Sequence, residues 1–485
     1  MKIPRCMSTQ HPDNVHLPFF AESPDLGGED EIQEAYYAYS HILCDEQMWD
    51  SEGKEIDNFV VKKLLTKYPD FFAEKRLGKD IFLTMRVPNP EEEKAEAKIL
   101  VETLESIPRS FDASNLVFND DVAPIFEVIL PMTTSEQGLD RIYNYYRKFV
   151  VGKQHYSIME GDILISEWIG HFQPYKINVI PLIEDKDHML FSHHLLKAYL
   201  SDKDFEYQRV FLARSDPALN YGLLSAVVVN KIAHQRIYQL SEEISVDLYP
   251  IIGVGSAPFR GNLRPDTVER VVKEYPSVQT FTIQSAFKYD YPPEEVSKAV
   301  RKLQELPRNK PHLMEEEKCI EIVEKYAQEY SKQVIQLAPL INRIAEFVPK
   351  RRKRKLHIGL FGYCRALGEH CLPRAIGFTA SMCSMGLPPA ILGINSLTQE
   401  EYDFILTQYI NFEEDLKDAL QFYNPDQSFI PEVINSKLKE LAIDYEMDEQ
   451  HKSITDSIID SLKKNKTEDL TQKVLLAANR RKYLG

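Results

Sequence analysis

Again and again in this chain, a short run of β-branched and apolar residues ends in one or two ionic side chains. The cleanest cases are INVIPLIED (177–185), QRVFLARSD (208–216), DLYPIIGVGSAPFRG (247–261), TFTIQSAFK (280–288) and KLHIGLFGYCR (355–365). A run apolar at nearly every position suits a parallel strand buried on both faces. Ionic residues just past the C-terminal ends of such strands stand where α/β barrels and open α/β sheets hold their chemistry.

Read in order, the strand-like runs are 41–49, 81–87, 123–132, 177–184, 208–215, 248–255, 279–285 and 355–363. Segments of helical period separate them, at 91–107, 135–151, 188–201, 220–243, 265–275 and 293–306. Strand alternating with helix in this way predicts an elaborated (β/α)8 TIM-type barrel with right-handed crossovers. A doubly wound open sheet is the alternative. The reading is one catalytic domain over 1–485, with barrel strands within about 41–363. Helices at 293–306 and 314–347 are expected as an insertion before the last strand. The stretch from about 387 to 485 is expected as a helical extension on the barrel or between subunits.

An apolar fraction of 43% supports a large core and excludes a disordered or fibrous chain. A net charge of −16 argues against general affinity for nucleic acid or membrane surfaces. No apolar stretch has the length of a membrane span, and the N-terminal residues lack a signal-peptide core, so a cytoplasmic protein is expected. The six cysteines include no CxxC pair, which predicts reduced thiols; Cys364 and Cys371 are expected as buried residues rather than a thiol site.

Glu184 and Asp216 each close an apolar run on neighbouring predicted strands. Two carboxylates at one rim form a hard, oxygen-rich site suited to Mg²⁺ or Mn²⁺. The competing reading is that each caps the helix that follows it. Arg86, Arg214, Arg260, Arg264, Arg365 and Arg374 all fall at, or a few residues beyond, strand ends. A guanidinium matches carboxylate and phosphate with a permanent charge and a planar fork. Several at one rim repel each other unless anions bind between them, which points to a substrate bearing phosphate and carboxylate groups.

GVGSAPFRGNLRP (253–265) adds small residues that allow close backbone approach and N–H donation. STQHPDN (8–14) reads as a fixed loop whose His11 can accept a proton near neutral pH. The basic run KRRKRK (350–355) suggests either nucleic-acid binding or a structural position flanking the barrel; the acidic chain favours the second.

Taken together these segments resemble the archaeal-type phosphoenolpyruvate carboxylases. The resemblance runs through CMSTQHPDNV, GGEDEIQEAYYAYSHILCDEQMWDSEGKE, LTMRVPNP, PIFEVILPMTTS, INVIPLIED, FLARSDPALNYG, GSAPFRGNLRP, QTFTIQSAFKYD, KRKLHIGLFGYCR and LPRAIGFTAS. It implies an elaborated barrel, usually tetrameric, that needs Mg²⁺ or Mn²⁺. The implied reaction makes oxaloacetate and phosphate from phosphoenolpyruvate and bicarbonate, replenishing four-carbon acids. By the same resemblance, Glu184 and Asp216 are the metal carboxylates and His11 the catalytic histidine. Arg86, Arg260 and Arg264 act in catalysis; Arg365, Arg374, Arg214, Gln284 and Lys288 bind substrate. The larger bacterial and plant enzymes have a second histidine where this chain has PFRGNLRP, and a lysine where it has Leu219. Their regulation by aspartate or acetyl-CoA therefore does not carry over. A rival is another metal-dependent barrel enzyme acting on a small 2-oxo acid or its enolate.

Overall fold

The computed structural model describes residues 2–51, 57–94, 97–353 and 371–485, and the backbone alone of 365–367 and 370. Eight parallel strands close into a barrel: β1 (Cys6–Ser8), β2 (Glu46–Asp50), β3 (Phe82–Arg86), β4 (Glu127–Leu130), β5 (Asn178–Ile183), β6 (Tyr207–Ala213), β7 (Asp247–Gly253) and β8 (Thr280–Ile283). Closure comes from β1, which pairs in parallel with β2 through Met7 and Glu46 and with β8 through Met7 and Thr282.

The barrel predicted from the sequence is therefore present, but its strand count begins one strand earlier. The strands run from Cys6 to Ile283 rather than within about 41–363. Cys6–Ser8 is only three residues long, too short to show alternation or a continuous apolar run. Its place is set by backbone hydrogen bonds instead: Thr9 N donates to Ile283 O at 3.0 Å, and Phe281 N to Arg5 O at 3.0 Å. The expected strand at 355–363 lies outside the described residues, and the barrel closes without it. The helix Pro293–Glu305 follows β8 as its own crossover layer, so it is not an insertion.

One interior layer is ionic. Glu46, Glu127, Arg209 and Thr280, from the four even-numbered strands, meet near the N-terminal end of the barrel, matching the alternate-strand layering of such barrels. Arg209 donates to Glu46 at 2.8 and 2.7 Å and to Glu127 at 2.8 Å. All three side chains are essentially inaccessible. Burial alone would weaken the Arg209 proton; the two carboxylates overcome this and raise its pKa.

Beyond the barrel, the 30-residue helix Glu316–Ala345 packs against Leu223–Ile244 and Ala375–Ser384. The C-terminal helices run to Leu470–Arg481, as the helical extension predicted, and that last helix packs on Ala375–Ser384. Tyr483 and Leu484 are buried, and Leu484 N donates to Asp13 O at 2.7 Å. A two-stranded antiparallel hairpin, β9 (Arg365–Leu367) and β10 (His370–Leu372), lies apart from the barrel sheet. Cys6, Cys44, Cys319 and Cys383 are free and buried, whereas Cys371 is exposed and disulfide-bonded, which corrects the expectation for that residue. Cys364 lies outside the described residues. Among the described residues no single helix is long and apolar enough to cross a membrane.

Candidate functional site

The C-terminal rim of the barrel opens into a cavity of about 240 Å³. Its lining includes His11, Arg86, Glu184, Arg214, Asp216, Arg260, Gln284 and Arg374. These side chains come from the ends of β1, β3, β5, β6, β7 and β8 and from the helix that starts at Ala375. Residues up to 363 positions apart in the chain, from His11 to Arg374, thus face one volume.

Glu184 follows β5 directly, and the cap of the next helix is Asp185, whose Oδ1 accepts from His188 N at 3.0 Å. The capping alternative therefore belongs to Asp185, and Glu184 lines the cleft. Asp216 stands in the first turn of the helix Ser215–Tyr221, immediately after β6. β5 and β6 are paired neighbours, so their C-terminal ends bring the two carboxylates to adjacent places on the rim. Two hard oxygen donors with open space beside them fit a divalent ion that completes its shell with water and substrate oxygens. Among the described residues no cluster of three or more His, Cys, Asp or Glu forms a closed cage.

Arg260 is held by four hydrogen bonds. Its Nε donates to Ser215 Oγ at 3.1 Å, Nη1 to Asp13 Oδ2 at 3.3 Å and to Gly485 O at 2.6 Å, and Nη2 to Gln284 Oε1 at 2.7 Å. Burial lowers its pKa, with Asp13 and Asp216 opposing that shift. The loop from β7 makes this possible. A Cβ at Gly255 would come within 2.9 Å of Gln284 Oε1 and 3.1 Å of Arg260 Cζ, so a larger residue there would push on the Arg260–Gln284 pair. Gly261 takes φ 124°, which reverses the chain after the Pro258–Arg260 turn. The loop's N–H groups were expected to face a ligand. Instead Gly255 N donates to Arg260 O at 2.8 Å, Asn262 N to Ala257 O at 3.0 Å and Leu263 N to Gly255 O at 3.0 Å. The loop aims Arg260 rather than cradling an anion with its own amides.

Arg214 is buried, with Nη1 donating to Phe259 O at 3.3 Å. Its Nε is buried without a hydrogen-bond partner in the structure. Arg86 is fixed by Asp50 on the neighbouring strand. His11 sits just past β1, its Nδ1 2.9 Å from Thr9 Oγ1, while its carbonyl oxygen accepts from Asp13 N at 3.1 Å.

Two expected site residues are placed elsewhere, and a third falls outside the described side chains. Arg264 leaves the rim and donates to Asp418 at 2.9 Å on the helix Phe412–Leu420. Lys288 is wholly buried beneath the loop that carries His11. The side chain of Arg365 lies outside the described residues. The basic run is partly internal: Arg351 donates to Val15 O at 2.8 Å, and Arg352 pairs with Glu31 at 2.7 Å and Glu34 at 2.9 Å. Those two charges serve the fold, as the structural reading of that run expects. Arg354 and Lys355 lie outside the described residues.

Asp50 and Asp13 were not singled out from the sequence. Asp50 ends the strand EQMWD, whose first two residues are polar, so its position lacks the continuous apolar run that marks Glu184.

A family profile described as phosphoenolpyruvate carboxylase matches residues 3–485. A phosphoenolpyruvate carboxylase of Methanothermobacter thermautotrophicus is 54% identical over 485 residues, covering 100% of both chains. One from Pyrococcus abyssi is 55% identical over 422 residues, covering 87% of this chain and 89% of that one. One from Halobacterium salinarum is 46% identical over 490 residues, covering 100% of this chain and 99% of that one.

Proposed function

Because the chain belongs to the phosphoenolpyruvate carboxylase family, we propose that its rim cleft joins bicarbonate to phosphoenolpyruvate, forming oxaloacetate and inorganic phosphate and so replenishing four-carbon acids. The observation that carries this reading is the meeting of His11, two carboxylates and the arginines 86, 214, 260 and 374 in one cavity. A substrate bearing phosphate and carboxylate groups matches the forked donors of these guanidinium groups.

Glu184 and Asp216 would hold Mg²⁺ or Mn²⁺. Such an ion, when bound, supplies Lewis-acid neutralisation of charge on the enol oxygen.

The arginines orient the phosphate and carboxylate so that a bicarbonate oxygen attacks phosphorus. The bond from phosphorus to the enol oxygen breaks, leaving carboxyphosphate and the enolate of pyruvate. Fixed guanidinium charge suits this step, in which positioning and electrostatics do most of the work. In the tautomer that donates Nδ1–H to Thr9, His11 Nε2 carries the lone pair that takes the proton of carboxyphosphate. Cleavage of its C–O bond then gives carbon dioxide and phosphate, and the enolate carbon attacks the carbon dioxide. The buried walls of the cleft keep water from protonating the enolate to pyruvate first.

The same reading extends to a cytoplasmic homotetramer. Its support is an exposed apolar group on the segment after β4, including Phe149, Met159 and Trp168, with Trp168 64% exposed. Light scattering should then give the mass of four chains.

The direct test is an assay with phosphoenolpyruvate, bicarbonate and Mg²⁺, each omitted in turn. Oxaloacetate and phosphate should appear in equal amounts and only with all three present. Turnover that ignores bicarbonate would assign the cleft to the rival 2-oxo acid chemistry.

A further inference from the structure

Lys288 and Glu34 are wholly buried, yet neither lines the cleft. Lys288 Nζ donates to Thr9 O at 2.9 Å, Ser8 Oγ at 3.2 Å and Glu34 Oε1 at 2.9 Å. Glu34, on the helix Glu29–Ser40, also accepts from Tyr289 Oη at 3.0 Å and from Arg352 Nη2 at 3.0 and 2.9 Å. Burial alone would raise its pKa, but Arg352 and Lys288 bring it down to about 2, so the carboxylate stays charged.

A buried ion pair is weak as a stabilising device, since desolvation consumes most of the Coulombic gain. What this one does is geometric. It grips the carbonyl of Thr9, and the hydroxyl of the same residue lies 2.9 Å from His11 Nδ1. On its other side, Gln10 Nε2 reaches Glu34 at 3.5 Å while Gln10 Oε1 accepts from Asp50 N at 2.9 Å, and Asp50 holds Arg86. One carboxylate therefore stands behind two cleft residues drawn from different strands.

We infer that Lys288 and Glu34 are positioning residues for His11, acting through Thr9. The inference rests on the reading of His11 as the group that takes the proton from carboxyphosphate. If His11 is displaced, carboxyphosphate is not broken down beside the enolate, which is then protonated to pyruvate. Phosphate is released without a matching carboxylation.

The test compares Lys288→Met, Thr9→Val and His11→Asn for phosphate released per oxaloacetate formed, with kcat and KM for phosphoenolpyruvate measured separately. Thr9→Val removes the last link without touching a charge, and stands in where Lys288→Met fails to fold. The expected result is a kcat loss of roughly tenfold to a hundredfold in the Lys288 and Thr9 variants, the scale of a small misplacement. KM should change little, and the phosphate-to-oxaloacetate ratio should rise toward that of His11→Asn. A purely structural role lowers both products together and leaves the ratio near one, which overturns the inference. If His11→Asn itself keeps full coupled turnover, the His11 reading fails, and the inference with it. A shifted ratio in His11→Asn alone leaves that reading intact and removes only the role of Lys288 and Glu34.

Discussion

Asp50 grips Arg86 with both oxygens: Oδ1 accepts from Nε at 3.0 Å and Oδ2 from Nη2 at 2.6 Å. The two residues are register partners on β2 and β3, so the backbone pairing itself brings them side by side. Both side chains are buried, and the pair is a planar fork locked before any substrate arrives. Such preorganisation is what a cleft needs if its charges are to act without rearranging.

Asp50→Ala removes the bidentate partner of a buried guanidinium. A loss of roughly 3–5 kcal/mol in folding stability is expected, read from chemical denaturation. A change within a few tenths would show that other groups carry Arg86.

His11→Asn should retain phosphoenolpyruvate binding while oxaloacetate formation collapses. Isothermal titration alongside product analysis checks both halves. Unchanged turnover would reject His11 as the proton acceptor.

Asp216→Ala removes one of the two rim carboxylates. Both divalent-ion binding, followed by Mn²⁺ paramagnetic relaxation, and metal-stimulated activity should be lost. Full metal response in the variant takes Asp216 out of the metal shell.

Arg260→Ala should reduce kcat/KM by roughly 2–5 kcal/mol of transition-state stabilisation if the group pairs with a desolvated anion. Steady-state kinetics measure it directly, and a loss near zero would leave Arg260 as the loop's internal strut alone.

Asp415 gives a pH signature. Burial raises its carboxyl from 3.8 to about 6, against hydrogen bonds from Tyr409 and Asn262. The folded state thus binds this proton more tightly than the unfolded chain. Its contribution is complete below pH 3.8 and is lost as pH rises through about 6. That loss amounts to at most about 3 kcal/mol. Asp415→Asn should flatten this part of the stability–pH curve; denaturation midpoints at pH 4 and pH 7 that fall in parallel with the parent would contradict it.

The sequence showed the cleft better than the frame that holds it. Glu184, Asp216 and Arg260 were legible because each falls at or a few residues beyond the end of a mostly apolar run, where barrel strands deliver side chains to the rim. β1 was not legible, because three residues cannot display a period. Lys288 was misplaced for a different reason: a lysine one turn past a strand end looks the same in sequence whether it faces the rim or turns under the loop. Only Glu34, 254 positions earlier in the chain, decides which. Arg209 was hidden within a strand that otherwise reads as mostly apolar, since a barrel interior can pair a charge that pattern alone would assign to a surface. Arg264 carries the same charge as Arg260, but its partner Asp418 sits on a helix that strand patterning says nothing about.

The ionic layer formed by Glu46, Glu127 and Arg209 also bears on how the molecule assembles. Its members are carried by β2, β4 and β6, with Thr280 of β8 completing the set. A nascent chain that has made only its first four strands holds two acidic groups pointing inward with no cation to meet them. Burying them without a cation is costly, so the full desolvated layer is favourable only in the closed barrel, where β6 supplies the guanidinium between them.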